Sequence, residues 1–139
     1  MCRLIIATVI CLFAAASFAA EPVDKKVQET VTTKSGMQYT CLKEGVGASP
    51  GPNDTVRVHY RGTLMNGREF DSSYKNGRPA ELHLNSVIKC WTEGLQMMKV
   101  GGKARLVCPS YLAYGDEGIT GVVPRFATLT FEVELIAIR

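Results

Sequence analysis

The sequence predicts an α+β domain in which a twisted antiparallel sheet wraps around one short helix. Three observations lead there. In the stretch 87–98, Ile88, Trp91, Leu95 and Met98 recur three, four and three residues apart, the spacing of one helical face. Two stretches, 55–61 and 127–138, alternate with the period of a strand. Between them, Asn66-Gly67 is the strongest short hairpin signal in the chain. A single helix among strands has to cover the concave face of their sheet, so the space between the two layers is where a site is to be sought.

Composition supports one globular domain. The chain has 139 residues, 46% hydrophobic and 21% charged, with a formal net charge of +3. That charge is mild and forms no basic run, which argues against a nucleic-acid partner.

The first residues read as an export signal. Met1-Cys2-Arg3 is a short positive start, residues 4–16 are apolar or small apart from Thr8, and Ser17-Phe18-Ala19 offers small residues at the two positions a signal peptidase reads. The apolar run is shorter than the roughly 20 residues that span a bilayer. The expectation is a signal peptide over 1–19, cut after Ala19, with no membrane association afterwards. Residues 20–33 are polar, with valines four apart, and read as a flexible leader. The domain follows over 34–139.

Within it, Met37, Tyr39 and Cys41 share one face of a strand. Pro50 and Pro52 hold the next stretch as a loop. In 55–61, Val56, Val58 and Tyr60 face in while Arg57, His59 and Arg61 face out. After the Asn66-Gly67 turn a strand resumes at 68–70, and Asp71-Ser72-Ser73 leaves the sheet. A short strand over 81–84 leads to the helix, capped by Asn85 or Ser86. Gly101-Gly102 is expected to end it. Residues 103–108 form a strand stopped by Pro109. The stretch 110–126, rich in glycine, is a long loop of the kind that carries function. The last strand puts Leu129, Phe131, Val133 and Leu135 on one face and Thr128, Thr130, Glu132 and Glu134 on the other.

Familiar catalytic sets are missing: there is no G-x-S-x-G, no phosphate-cradling glycine loop and no C-x-x-C. Neither His59 nor His83 falls at ligand spacing with a cysteine, so no metal or cofactor is expected. What stands out is a set of aromatics at element ends: Tyr60, Phe70, Trp91, Tyr114 and Phe131. Core packing would account for them, but Asp71 directly follows Phe70 and Tyr114 sits in the long loop. A carboxylate and a phenol beside an apolar pocket form a binding-site pattern.

Val58-His59-Tyr60-Arg61-Gly62, Gly67-Arg68-Glu69-Phe70-Asp71-Ser72-Ser73, Val87-Ile88, Trp91, Leu112-Ala113-Tyr114-Gly115 and the segment 127–135 occur in an order and spacing that resemble the FKBP-type peptidyl-prolyl cis-trans isomerases, near their exported bacterial, Mip-like branch. The resemblance runs from Lys34 to Ile138. It implies an FKBP-like fold and rotation about Xaa-Pro bonds in exported proteins. It makes Trp91 the pocket floor, Tyr60, Phe70 and Phe131 its walls, and Val87, Ile88 and Val123 its rim. It further implies that the Tyr114 hydroxyl and the Ile88 N–H bond substrate carbonyls, and that Asp71 faces the carbonyl of the turning amide.

The implied partners are proline-containing polypeptides and the family's macrolide inhibitors. Asn76, Ala80 and Ser86 depart from well-known eukaryotic members, which weighs against the macrolides. The expected state is a monomer in the periplasm or outside the cell. A proline-segment binding module and a chaperone with vestigial isomerase activity are the alternatives. Cleavage at Ala19 would leave Cys41, Cys90 and Cys108, at most one internal bridge. Set against the family, Cys90 stands where a glycine precedes the tryptophan. A Cys90–Cys108 disulfide is then expected, a pairing through Cys41 and three free thiols being the other arrangements.

Overall fold

The computed structural model describes residues 29–139. The expected signal peptide and most of the leader lie outside the described residues. Seven strands form one sheet, β1 (Thr30–Thr32), β2 (Gln38–Lys43), β3 (Thr55–Leu64), β4 (Glu69–Ser72), β5 (Ala80–His83), β6 (Lys103–Cys108) and β7 (Leu129–Ile138), with a single α-helix among the described residues, α1 (Lys89–Gln96). The order is β1-β2-β6-β7-β3-β4, with β5 also paired to β3, and every pairing is antiparallel.

β3 and β7 are the long central strands, and their alternation sets the inside of the sheet. Val56, Val58, Leu129, Phe131, Val133 and Leu135 are buried, while Arg105 and Glu132 pair across β6 and β7 on the opposite side at 3.1 Å. Against the inner face lies α1, which buries Cys90, Trp91, Gly94 and Leu95. Gly94 sets how closely it packs: a methyl group there would fall 2.8 Å from both Leu106 methyls and 3.3 Å from the Met37 sulfur. Side chains fasten the helix at both flanks. Glu93 accepts hydrogen bonds from Ser35 (2.5 Å) and Thr33 (3.2 Å), and the Thr92 hydroxyl donates to the Leu84 carbonyl at 2.5 Å. Cys90 is disulfide-bonded to Cys108 at the end of β6, with Cα atoms 5.8 Å apart.

Four local expectations change. Thr30–Thr32, read as leader, pairs with β2 as an edge strand, with the Thr30 and Thr40 hydroxyls 2.7 Å apart. Asn85 and Ser86 do not cap the helix, because they sit in a preceding 3-10 turn over Leu84–Ser86, and the cap position falls to Ile88 without a side-chain bond. The helix ends at Gln96, well before Gly101-Gly102. Met97 and Met98 donate to the Gly94 and Leu95 carbonyls in a tightened last turn, and Gly101, at φ +93, serves the turn into β6. Asp71 and Ser72 do not leave the sheet: they pair with Gly62 and Arg61.

Tyr39 shows what burial costs a titratable group. It is 2% exposed, and burial, reinforced by the Glu44 carboxylate, pushes its phenol from 10.0 up to about 12. The folded state therefore holds this proton more tightly than the unfolded chain does. Its contribution is complete below pH 10 and is lost as pH rises toward 12, by up to about 1.4 kcal/mol per pH unit. Urea unfolding should show wild type losing more stability across this window than Tyr39→Phe. Equal losses would assign the alkaline sensitivity to other groups.

Candidate active site

The aromatic residues picked out in sequence converge on Trp91. Tyr60 on β3 meets the indole edge-to-face, with centroids 5.0 Å apart and planes at 83°. Phe131 on β7 meets it at 5.3 Å and 89°. Phe70 on β4 packs on Phe131 at 5.7 Å and 78°. Perpendicular rings set positive edges against negative faces, so each contact favours the basket shape beyond simple burial. Trp91 and Phe131 are buried, whereas Tyr60 and Phe70 are partly open. The Trp91 indole N–H is buried without a hydrogen-bond partner among the described residues.

Gly62 explains how the walls come together. It sits on β3 opposite both Asp71 of β4 and Phe131 of β7. A methyl group on it would fall 2.7 Å from the tip of Phe70 and 2.9 Å from the Phe131 ring, so the two rings close over bare backbone. Sequence reasoning gave this glycine no role, since its need arises only when two strands flank it.

The polar side of the basket is equally ordered. The Tyr60 hydroxyl donates to Asp71 Oδ2 at 2.7 Å, and the Ser72 N–H donates to Asp71 Oδ1 at 2.9 Å. Asp71 is exposed, so its carboxylate is held in place while open to a ligand. Burial first, then the hydrogen bond to Asp71, pushes the Tyr60 phenol well above its ordinary value. Burial and the Asp71 charge likewise raise Tyr114. Both phenols thus stay protonated and remain donors at neutral pH.

Tyr114 follows the 3-10 turn Ser110–Leu112, and its carbonyl accepts the Gly118 N–H at 3.1 Å. Val123 closes a small bridge with Ile119 in the same loop and is buried. Val87 and Ile88, just before α1, pack on the same apolar cluster. The Ile88 carbonyl accepts from the Trp91 and Thr92 amides, while its own N–H precedes the helical ladder. The structure therefore brings Tyr60, Phe70, Asp71, Trp91 and Phe131 together through a chain of direct contacts. It places Tyr114 within electrostatic reach of Asp71 and seats Val87, Ile88 and Val123 on the shared core.

A cavity of about 340 Å³ opens elsewhere, among Tyr39, Glu44, Gln96, Met98 and Lys103. It contains none of the basket residues. The mixture of lysines, one carboxylate and methionines around it selects no particular chemistry, so the basket is the better candidate.

A sheet folded over one helix, with an aromatic basket on the helix and a tyrosine-anchored carboxylate at its edge, defines a domain of the FKBP class. Comparison with known proteins agrees. The family model for FKBP-type peptidyl-prolyl cis-trans isomerases matches residues 47–136. The chain is 50% identical over 114 residues to the FKBP-type peptidyl-prolyl cis-trans isomerase FkpA of Aeromonas hydrophila, covering 82% of this chain and 42% of that protein. It is 49% identical over 107 residues to the FKBP-type 22 kDa peptidyl-prolyl cis-trans isomerase of Escherichia coli, covering 77% and 52%. Among solved structures, FkpA from Escherichia coli superposes with a TM-score of 0.76 at 44% identity, over 79% of this chain and 51% of that one. A peptidyl-prolyl cis-trans isomerase from Pseudomonas syringae pv. tomato gives 0.74 at 42%, over 78% and 80%. The chain belongs to the FKBP-type peptidyl-prolyl cis-trans isomerase family. It spans about half the length, or less, of the curated relatives it matches.

Proposed function

We propose that this protein catalyses cis-trans isomerisation of Xaa-Pro bonds in exported polypeptides and so assists their folding. The observation that carries this reading is the basket itself: Tyr60 and Phe131 stand perpendicular to the Trp91 indole, with Asp71 tied to Tyr60 at the open edge. The reaction breaks no covalent bond and needs no nucleophile. Its barrier, roughly 20 kcal/mol, is the amide resonance lost on twisting. An apolar enclosure favours the twisted amide, which is less charge-separated than the planar one. A thousandfold acceleration requires only about 4 kcal/mol, within reach of desolvation and one or two hydrogen bonds.

In this reading the proline ring lies on Trp91 between Tyr60, Phe70 and Phe131, and Val87, Ile88 and Val123 shape the rim. The Tyr114 hydroxyl and the Ile88 N–H each donate to a substrate carbonyl. Asp71 faces the carbonyl of the turning amide with both oxygens already oriented by Tyr60 and Ser72. The charge and apolar run of residues 1–19 support export, and with it a periplasmic location; the proposed state there is a monomer. Asn76, Ala80 and Ser86 weigh against binding of the family's macrolide inhibitors.

The direct test is cis-trans exchange in an Xaa-Leu-Pro-Phe peptide followed by NMR with catalytic amounts of protein. Exchange should accelerate, and Asp71→Leu should reduce the acceleration by roughly tenfold, the worth of about 1.4 kcal/mol. Saturable peptide binding without acceleration would instead identify a recognition module.

A further inference from the structure

We propose that Ser73 is the positioning residue of this pocket, acting through Tyr60 to hold Asp71 in register; its effect on catalysis rests on the isomerase reading above. Ser73 is a polar side chain only 2% exposed, just beyond the end of β4. Its hydroxyl oxygen lies 2.8 Å from the Tyr60 amide nitrogen and 2.8 Å from His59 Nδ1, and 3.3 Å from the Tyr60 carbonyl oxygen. Its own N–H donates to the Tyr60 carbonyl at 3.0 Å.

These distances describe the last rung of the β3–β4 ladder with one atom exchanged. Asp71 pairs with Gly62 and Ser72 with Arg61, which brings Ser73 opposite Tyr60. In an antiparallel pair the Tyr60 N–H would go to a backbone carbonyl across the ladder. Here it goes to the Ser73 hydroxyl oxygen instead. The hydroxyl proton turns to His59 Nδ1 or to the Tyr60 carbonyl, so its hydrogen-bonding capacity is used locally.

Freed from that rung, the backbone turns at once into the 3-10 turn Tyr74–Asn76, where the Tyr74 ring stacks on His59 at 4.5 Å and 8°. β4 is only four residues long and lies at the end of the sheet order. Its far end is held by this side chain together with the Ser73 N–H to Tyr60 carbonyl bond and the Tyr74 N–H, which donates to Ser72 Oγ at 3.1 Å. Tyr60 is held by its backbone to Ser73 and by its hydroxyl to Asp71, closing a loop of hydrogen bonds that determines where the carboxylate sits. Sequence reasoning took Asp71-Ser72-Ser73 as leaving the sheet. The available clue was a run of short hydroxylated residues at a strand end, which compete for backbone partners.

The test is a double-mutant cycle of Ser73→Ala and Tyr60→Phe in the whole mature protein, read by peptide exchange, by urea unfolding and by the three-bond couplings that report the Asp71 side-chain rotamer. Ser73→Ala should lower kcat/KM roughly tenfold in the wild-type background. In the Tyr60→Phe background it should lower it less than about twofold, because the link to Asp71 is already cut. Asp71 should hold a single rotamer in wild type and average between rotamers in Ser73→Ala.

The urea midpoint should fall by a similar amount in both backgrounds, so a purely structural role would change stability without producing the kinetic coupling. If Ser73→Ala does not fold, Ser73→Cys, which keeps the size and a weaker acceptor, replaces it and should give intermediate values. Equal kinetic losses in both backgrounds, or an Asp71 rotamer indifferent to Ser73, overturn the proposal. Should the wild-type protein fail to accelerate exchange, the isomerase reading falls, and the Asp71 couplings alone decide whether Ser73 positions it.

Discussion

Replacing Trp91 by leucine is expected to lower kcat/KM for a proline peptide by roughly thirtyfold, a loss of about 2 kcal/mol in transition-state stabilisation. The indole is the ring to which Tyr60 and Phe131 both pack perpendicular, and each such contact contributes about 0.5–1.5 kcal/mol beyond burial. Leucine keeps the site apolar but offers no flat face, and it leaves part of a 4%-exposed position unfilled. Stability should also fall, by about 2–3 kcal/mol. Because Trp91 is the chain's one tryptophan, unfolding of the variant has to be followed by circular dichroism. Kinetics are then compared at a temperature where both proteins are folded. A variant that is destabilised yet keeps kcat/KM within about twofold of wild type would show that the indole serves the core alone.

Loss of the Cys90–Cys108 bridge should produce the largest change in stability. The two residues are 18 apart in sequence, and closing a loop of that size removes unfolded-state entropy worth about 3 kcal/mol. For a domain of this size that corresponds to a fall in Tm on the order of 10–20 °C. The bond also has a local role, since it joins the first turn of α1, next to Trp91, to the last residue of β6. That turn has no side-chain cap of its own. Thermal unfolding of wild type and the Cys90→Ala/Cys108→Ala variant, both without reductant, measures the effect. A shift below about 3 °C would mean that packing alone secures the helix. Both cysteines are fully buried, so reductant should act on the native protein slowly, through transient opening.

Much of this molecule is legible in short stretches of chain. Val56 and Val58 alternate with Arg57 and His59, and Leu129 to Leu135 alternate with threonines and glutamates, because a strand turns successive side chains to opposite faces. Trp91 and Leu95 fall on one helical face for the corresponding reason and are buried, and Met98 is buried just past the end of the helix. The aromatic and acidic members of the proposed site could be named because the motifs that hold them resemble those of the FKBP family in order and spacing.

Other features depended on groups that meet only after folding. Thr30–Thr32 reads as leader because three residues carry too little pattern, and only the open edge of β2 makes them a strand. The helix starts at Lys89 after a 3-10 turn and is fastened by Glu93 to Ser35, a partner 58 residues away that no local rule for capping can anticipate. Gly62 and Gly94 show no special backbone angle. Their importance appears when Phe70, Phe131 and Leu106 arrive from other strands. Asp71 and Ser73 read as leaving the sheet, yet across the ladder one bonds the Tyr60 hydroxyl and the other its amide. Which residues face inward follows from local periodicity alone, and the motifs proposed to border the pocket follow from their resemblance to the family. Element ends, close approaches and the hydrogen bonds that orient the proposed site are set by folding, because each is a choice between partners distant in the chain.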